Sequence, residues 1–312
     1  CKAIVTCRVN EWEDTHIFGF LNCDKPAGMT SRDVVNVVQR RIRPIKVGHA
    51  GTLDPLAEGV LVLGVGPAVR LVPYVQQLPK HYRATFLLGQ SSVSGDLEGE
   101  VLQHPEQPPP SLDQLQNASS QLIGDIEQIP PAHSAIWVDG KRAYKRVRAG
   151  EQVEMPSRTV RVDSLVILNY DFPQLELDIV CGSGTYIRTL GIDLARLAGS
   201  TAVMAHLRRT GVGDFCIADA ITIDQLRNDP LESLLVPAER GVPQLPRLVI
   251  DAEQSVRLGH GLCIDGELTG EPAATEIMEA AAVDPDDHLR AVVRRKRGHW
   301  CPYRVFPDTA DS

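Results

Sequence analysis

Apolar residues follow two different spacings in the first hundred residues of the chain. In RDVVNVVQRRI (32–42) the valines and the isoleucine recur at helical spacing, so we predict a helix that Thr30 or Ser31 caps. The segments GVLVLGVG (59–66) and HYRATFLLG (81–89) are instead short and dominated by apolar residues, which is typical of strands in a buried sheet. SLDQLQNASSQLIG then predicts a further helix that begins after a serine cap.

The middle of the chain predicts two long strands followed by a helix. The strands fall in RTVRVDSLVILNYD (158–171) and PQLELDIVC (173–181), and a glycine-containing turn leads into a helix from about Tyr186 to Ala198. Between 129 and 150 the chain predicts a loop, a short hairpin with an Asp-Gly turn, and a helix. Helices and strands therefore alternate irregularly, which favours an α+β fold with a mixed, mostly antiparallel sheet.

Composition along the chain indicates four segments. Residues 1–16 are interpreted as an N-terminal extension and residues 17–235 as one α+β domain. The proline-rich segment 236–250 is interpreted as a linker, and residues 251–312 hold several short strand-like pieces that predict a small β-rich module.

Charge is distributed unevenly in an acidic chain. The net charge is −8, yet three segments are strongly basic: RRIRPIK (40–46), KRAYKRVR (141–148) and RRKR (294–297). Three such clusters on an acidic protein predict a basic groove for a polyanion such as RNA. No apolar run approaches the roughly 18 residues that a membrane-spanning helix needs, so we expect no membrane association and a cytoplasmic location.

Cysteine spacing and motif searches exclude several kinds of chemistry. The seven cysteines are scattered without any CxxC pair, which predicts reduced thiols and no zinc site. The chain also lacks a GxGxxG or Walker A phosphate loop, a GxSxG elbow and an HExxH pair. We therefore expect neither a cofactor nor a metal.

A few polar residues in or beside apolar segments are candidates for chemistry. Asp54 lies in GTLDP, so it is either a nucleophile or base aimed from a turn, or the side chain that caps the turn. Arg188 needs an anionic partner if it is buried, and Asp54 or Asp193 could supply it. Tyr82 is a core aromatic or a stacking platform for a base. His49 is an acid, a base, a stacking surface or a turn residue.

Several motifs together resemble one known family. The chain is similar to the bacterial TruB family of tRNA pseudouridine-55 synthases over most of residues 17–225. The motifs that carry this resemblance are GFLNCDKPAGMTS, GHAGTLDPLAEGVLVLGVG, KHYRATFLLG, GSGTYIRTLG and HLRRTGVGDF.

The resemblance implies a pseudouridine synthase fold, with a central catalytic cleft and a C-terminal RNA-binding module related to PUA domains. It implies catalytic roles for Asp54, Tyr82 and Arg188. It also implies that Lys25 and Pro26 support the catalytic loop. Further substrate contacts are implied for His49, Tyr186 and Leu207.

The implied activity is isomerisation of the T-loop uridine at tRNA position 55, by cleavage of the glycosidic bond and reattachment at C5. The resemblance implies tRNA as the partner, through its T-arm, with no cofactor and no obligatory protein partner. From the basic clusters and the matching motifs we select as candidate RNA phosphate contacts Lys141, Arg142, Lys145, Arg146, Arg208 and Arg209.

Alternative functions stay open at this point. A related synthase could act on another RNA, and a protein with the same scaffold could bind or fold RNA without catalysis. A nucleoside glycosidase would usually need two carboxylates at one bond. The motif region offers only Glu58 besides Asp54, and we expect Glu58 to lie on the next turn and face outward. The resemblance also leaves open whether Asp54 attacks C1′ or assists elimination at C2′.

Overall fold

A computed structural model of the protein describes residues 17–131, 137–138, 141–142, 155–269 and 278–307. Within these ranges no helix combines the length and the apolar character that crossing a membrane requires. The predicted N-terminal extension, the Asp-Gly turn of the hairpin and the helix predicted to end at residue 150 lie outside the described residues.

Strands dominate the described part of the chain. They are β1 (Gly19–Lys25), β2 (Val47–His49), β3 (Glu58–Val65), β4 (Lys80–Leu88), β5 (Gln90–Ser92), β6 (Val101–Gln103), β7 (Gly124–Gln128), β8 (Trp137–Val138), β9 (Lys141–Arg142), β10 (Arg158–Asp171), β11 (Gln174–Cys181), β12 (Ala202–Val212), β13 (Phe215–Cys216), β14 (Arg247–Val249), β15 (Glu279–Val283), β16 (Leu289–Lys296) and β17 (His299–Val305).

The α-helices are short and lie between the strands. They are α1 (Ser31–Arg41), α2 (Val72–Gln77), α3 (Leu112–Ser120), α4 (Ile187–Leu197), α5 (Ile223–Asn228) and α6 (Ala252–Gly259).

A nine-stranded sheet forms the centre of the molecule. Its main path runs β1-β3-β12-β4-β11-β10-β7, while β2 also pairs with β3 and β13 with β12. All pairs are antiparallel except β12 with β3, which run parallel and pair at only two positions, Arg208 with Glu58 and Arg209 with Gly59. The prediction of an α+β fold with a mixed, mostly antiparallel sheet is confirmed.

Local sequence explains where the helices begin. Thr30 caps α1 and Ser111 caps α3, each in a capping box that satisfies backbone N–H groups at the helix start. The predicted helix in the later segment is also confirmed: α4 begins after Tyr186 and ends before Ala198.

Both faces of the central sheet are covered by apolar side chains. Leu61 and Leu63 of β3 face the layer that contains α1 and α4, whereas Val60 and Val62 face a second layer. This double burial explains why the segment 59–66 is a continuous apolar run instead of an alternating one.

The C-terminal residues form a separate four-stranded sheet, in the order β14-β15-β16-β17. Ala281 and Val292 of this sheet are buried in the same apolar cluster as Phe20 and Val75 of the first part of the chain. The predicted small β-rich module is therefore observed, packed directly on the second face of the central sheet.

One expectation about cysteines is wrong. Cys263 and Cys301 form a disulfide that joins the segment after α6 to β17, although the scattered spacing predicted reduced thiols throughout. The two residues are far apart in sequence, so their proximity depends on the tertiary fold and leaves no local sequence signal. Cys23, Cys181 and Cys216 are free thiols.

Helix α4 approaches the central sheet unusually closely because Gly191 has no side chain. A Cβ atom at this position would lie 2.0 Å from Cζ of Phe86 on β4. Phe86 is fully buried, so its ring has no free space to move into. This contact fixes the height of α4, and hence of Arg188, above the sheet.

Replacing Gly191 with alanine is expected to lower the free energy of unfolding by about 2 kcal/mol or more, because overpacking outweighs the gain in helix propensity. Gly259→Ala is the matched control: this glycine is also helical, but a Cβ there meets no atom within 4 Å. Chemical denaturation of both variants measures the difference. Equal stabilities would show that the close contact with Phe86 is not a constraint.

Candidate active site

A cavity of about 390 Å³ opens on one face of the central sheet, between β4, β12, the start of α4 and the loop before β3. Its volume is in the range of pockets that hold small organic ligands. Several residues selected from the sequence line it, namely Asp54, Tyr82, Tyr186, Arg188, Leu207 and Arg209. Asp54 lies in the loop between β2 and β3, four residues before β3 begins.

Asp54 and Arg188 form a direct ion pair. Nη2 of Arg188 donates a hydrogen bond to Oδ2 of Asp54 at 2.7 Å. The arginine side chain is only 13% exposed, whereas the Asp54 side chain is 54% exposed and open to the cavity. The predicted pairing is confirmed, and the alternative partner Asp193 pairs instead with Arg196 at 2.9 Å.

A second carboxylate, that of Asp96, also binds Arg188; Asp96 was not among the candidates from the sequence. Oδ2 of Asp96 lies 2.9 Å from Nη1 of Arg188, and this side chain is 3% exposed. Asp96 also accepts a hydrogen bond from Oγ of Ser94 at 2.6 Å, and the carbonyl of Ser94 accepts one from Arg188 at 2.8 Å. The guanidinium is thus fixed from two sides, which orients the Nη2 group toward Asp54.

Buried polar side chains hold the backbone on both sides of Asp54. Oγ of Ser31, at the start of α1, accepts a hydrogen bond from Leu53 N at 2.8 Å and donates one to Leu53 O at 3.0 Å. Nζ of Lys25 donates to the carbonyls of Met29 at 2.7 Å and Pro55 at 3.5 Å. The implied supporting role of Lys25 agrees with this geometry.

Arg209, from β12, also binds the backbone of the loop that carries Asp54. It is 2% exposed, and its Nε donates to the carbonyl of Val60 at 2.7 Å while Nη2 donates to that of Gly51 at 3.3 Å. The side chain therefore lies in the floor of the cavity. Arg209 was a candidate phosphate contact, but the structure buries it beneath the loop that carries Asp54.

Tyr82 and Leu207 form an apolar wall. Both are 8% exposed and project from the adjacent strands β4 and β12. Burial raises the pKa of the Tyr82 hydroxyl, although the nearby Arg209 acts in the opposite direction. The phenol is therefore protonated at neutral pH and can donate a hydrogen bond.

Tyr186 is positioned by its backbone at the N-terminus of α4. The buried Gln128 side chain donates to the Tyr186 carbonyl at 3.0 Å and accepts from its N–H at 2.7 Å. The guanidinium of Arg158 lies over the Tyr186 ring, 4.9 Å from its centroid. Gln128 and Arg158 were not selected from the sequence, because neither stands out from its strand by residue type alone.

His49 stands slightly apart from these residues. It ends β2, is half-buried, and is not among the residues that line the cavity. Burial lowers the pKa of His49, and Arg209 lowers it further, so the ring is neutral at pH 7. Its Nδ1 atom is buried without a hydrogen-bond partner among the described residues.

The remaining candidates for phosphate contacts have different environments. Arg208 is bound by two carboxylates, that of Asp24 at 3.2 Å and that of Glu58 at 3.1 Å. Lys141 and Arg142 form β9. Lys145 and Arg146 lie outside the described residues.

The expectation that Glu58 faces outward on a turn is wrong. Glu58 is the first residue of β3, and its carboxylate lies 3.1 Å from Arg208 and 3.2 Å from His206 on β12. The parallel pairing of β3 with β12 brings these residues together, and sequence spacing does not reveal that pairing. Glu58 therefore joins two strands and is not among the cavity-lining residues.

One group of potential metal ligands lies elsewhere, in the turn between β15 and β16. Asp284, Asp286 and His288 have ligand atoms within 4.8 Å of one another. Asp284 already accepts a hydrogen bond from Nη2 of Arg290 at 2.7 Å. None of the three lines the cavity.

The sheet topology and the aspartate–arginine pair at its centre define a pseudouridine synthase. A chain in the crystal structure of a Cbf5–Nop10–Gar1 complex superimposes with a TM-score of 0.73 and 25% identity, over 94% of this chain and 86% of that chain.

Family models give the more specific assignment. The TruB family pseudouridylate synthase (N terminal domain) matches residues 39–187, and the tRNA pseudouridylate synthase B C-terminal domain matches residues 188–253. The chain belongs to the TruB family. It is 40% identical to a tRNA pseudouridine synthase B of Rhodopirellula baltica, over 93% of this chain and 95% of the relative. A tRNA pseudouridine synthase B of Roseobacter denitrificans is 42% identical, over 93% and 96%.

Lys80 gives the site a pH-dependent stability. Burial, and secondarily Arg209, lowers the pKa of Lys80 to about 8, whereas an unfolded lysine has a pKa near 10.4. Between these values the unfolded chain binds more protons than the folded one, so the free energy of unfolding rises with pH.

We expect the wild-type protein to gain stability between pH 8 and pH 10 relative to Lys80→Met, by at most about 1.4 kcal/mol per pH unit. Urea denaturation at several pH values measures this difference. Lys25, whose pKa burial also lowers to about 8, is present in both proteins and cancels. If the free energies of unfolding of the wild type and Lys80→Met change in parallel with pH, the pKa of Lys80 is not lowered in the folded protein.

Proposed function

We propose that this chain is an enzyme that converts uridine in tRNA to pseudouridine, and that its target is the T-loop uridine. Membership of the TruB family supports the activity. The observation that carries the proposal is the carboxylate of Asp54, which opens into the cavity while Arg188 holds it at 2.7 Å. We infer a cytoplasmic enzyme, since tRNA is its substrate.

Isomerisation requires that the bond between N1 and C1′ breaks and that C5 of the same base then bonds to C1′. Asp54 supplies the anion, either by attacking C1′ or by taking the proton from C2′. In both routes the electron pair of the broken bond leaves with the base as a uracil anion. The anion then turns so that C5 faces C1′. When C5 bonds to C1′, the Asp54–C1′ bond breaks in the first route, and Asp54 returns the proton to C2′ in the second. The C5 proton is then lost and N1 gains a proton.

The remaining cavity residues hold the base and exclude water. Tyr82 presents a buried ring beside Asp54, on which a uracil can stack. Leu207, on the adjacent strand, extends the same wall with an apolar surface. Exclusion of water strengthens the electrostatic interactions in the cavity and protects the detached base from side reactions.

The target nucleotide has to leave its stack to reach Asp54, because the carboxylate lies in a concave site. Extrusion of a base costs a few kcal/mol, which stacking and phosphate contacts offset.

We assign the phosphate contacts to the basic segment 141–148, which follows β8 in the sequence. We assign to His49, whose ring is neutral, the role of occupying or bracing the space that the base vacates. The C-terminal sheet would serve as the PUA-like RNA-binding module.

The structure disfavours two of the alternatives. A glycosidase needs a second carboxylate at the same bond, but Asp96 is almost fully buried against Arg188 and Glu58 is bound to Arg208. A non-catalytic RNA-binding protein has no need for a buried arginine aimed at an open carboxylate.

The direct test is incubation of the purified chain alone with an unmodified T-arm transcript, followed by mapping of pseudouridine at single-nucleotide resolution. We expect modification at the T-loop uridine without an added protein or cofactor. A matched transcript with cytidine at that position is the control. Modification of another RNA in preference to the T-arm would support a related synthase with a different target.

Asp54→Asn is expected to lower the single-turnover rate by a thousandfold or more, roughly the loss seen when a nucleophile is removed. Binding of the T-arm should stay within about tenfold, because the amide has nearly the same shape as the carboxylate. Asp193→Asn removes a carboxylate whose ion-pair partner, within the part of the chain that the structure describes, is Arg196, and it should retain activity. A near wild-type rate for Asp54→Asn would exclude Asp54 as nucleophile or base.

Arg188→Lys is expected to be severely impaired although the charge is kept. An ammonium cannot bind Asp54 and Asp96 simultaneously in the planar geometry of the guanidinium. Arg196→Lys on the exposed side of the same helix is the control. The rate at saturating enzyme is the measurement, and activity equal to the control would show that charge alone suffices.

A further inference from the structure

Two buried cations in the cavity floor have no role in the mechanism described so far. Lys80 on β4 is 6% exposed and Arg209 on the neighbouring strand β12 is 2% exposed. Both line the cavity. They lie beside Tyr82, on the side of the cavity that faces the sheet.

The hydrogen-bond partners that the structure gives these cations are neutral: backbone carbonyls for both, and in addition the Tyr82 hydroxyl for Arg209. Nζ of Lys80 donates to the carbonyl of Leu78 at 2.7 Å and to that of Gln76. Arg209 donates to the carbonyls of Val60 and Gly51. Among the described residues no carboxylate lies within ion-pair distance of either side chain, in contrast to Arg188, which binds two.

Such an arrangement is unfavourable in the free protein. A buried charge costs several kcal/mol unless a counter-charge compensates it. Cys181 is the titratable group that faces Lys80 from β11, and burial raises the pKa of that thiol to about 11, so it carries no charge at neutral pH. The cost is understandable if an anion forms inside the cavity during the reaction.

The proposed reaction creates such an anion. When the N1–C1′ bond breaks, both electrons stay on the base, and the negative charge spreads over N1, O2 and O4. This holds whether Asp54 attacks C1′ or removes the C2′ proton. The charge persists until C5 donates an electron pair to C1′.

We propose that Lys80 and Arg209 form an anion site that holds the detached uracil through its carbonyl oxygens. The inference rests on the proposed function and adds Lys80 to its catalytic residues. Nζ has three N–H donors, of which two are used by backbone carbonyls, so the third is available to a base oxygen. Arg209 acts in addition as a positioning residue, because it holds Gly51 of the catalytic loop.

Burial favours the base over a phosphate as the occupant. A phosphate remains attached to the RNA backbone and stays near the mouth of the cavity, whereas these cations are less than a tenth exposed. The base is the part of the nucleotide that enters the cavity. Preorganised donors at a developing charge commonly contribute a factor of about a hundred or more in rate.

The test compares two leaving groups in the wild type and in Lys80→Met. T-arm RNA carries either uridine or 5-fluorouridine at the target position, and cleavage of the N1–C1′ bond is measured at saturating enzyme in a single turnover. Fluorine withdraws electrons and stabilises the uracil anion, so it reduces the need for a cation. We expect Lys80→Met to slow the uridine substrate about a hundredfold. With 5-fluorouridine, the factor by which Lys80→Met slows cleavage should be at least about fivefold smaller than with uridine.

Controls separate this role from others. Lys80→Arg keeps a cation and should recover part of the cleavage rate. Arg196→Met removes an exposed cation and should leave the cleavage rate unchanged with both substrates. A defect in RNA affinity alone would indicate a phosphate contact and overturn the proposal. An equal defect with both bases would also overturn it, as would a wild-type rate for Lys80→Met.

A second measurement applies if Lys80→Met does not fold. The pKa of Lys80 is about 8 in the free protein, so with uridine RNA the cleavage rate of the wild type should fall above that pH, whereas the rate of Lys80→Arg should not, because arginine keeps its charge. Identical profiles would contradict the anion site. If the wild type forms no pseudouridine on any T-arm substrate, it is the proposed function that fails.

Discussion

The site depends on how the backbone around Asp54 is held. Ser31 from the start of α1, Lys25 from the end of β1 and Arg209 from β12 each bind carbonyls or N–H groups of residues 51 to 55. All three side chains are buried, so water does not compete for these bonds. A loop that would otherwise sample many conformations therefore presents its carboxylate in one position. Proximity and orientation of this kind contribute a large share of catalytic power.

Charged groups around the cavity fall into two kinds. Arg188 is compensated by Asp54 and Asp96, and this compensation allows a guanidinium to remain almost buried. Within the described ranges, Lys80 and Arg209 are bound to neutral groups, namely backbone carbonyls and, for Arg209, also the Tyr82 hydroxyl. In the proposed mechanism the fixed ion pair acts at the sugar and the two cations without a carboxylate partner act on the base. Separation of these two environments suits a reaction in which a neutral base becomes an anion and is neutral again at the end.

Local patterns predicted the elements well, and long-range contacts explain what they missed. Periodicity and cap residues predicted the strands and the starts of α1 and α3. The pairing of Arg188 with Asp54 followed from the need of a buried cation for an anion. Asp96 was not selected, because only the return of the loop after β5 brings it to Arg188. The ion pairs of Glu58 and the Cys263–Cys301 disulfide likewise depend on tertiary pairing between distant segments.

The apolar cluster that joins the two sheets fixes the distance between them, and this has a consequence for RNA binding. Ala281 and Val292 of the C-terminal sheet share their core with Phe20 and Val75, so the two sheets cannot swing independently without exposing apolar surface. If the proposed RNA substrate contacts both sheets, the distance between its two contact points is therefore set by the protein before binding.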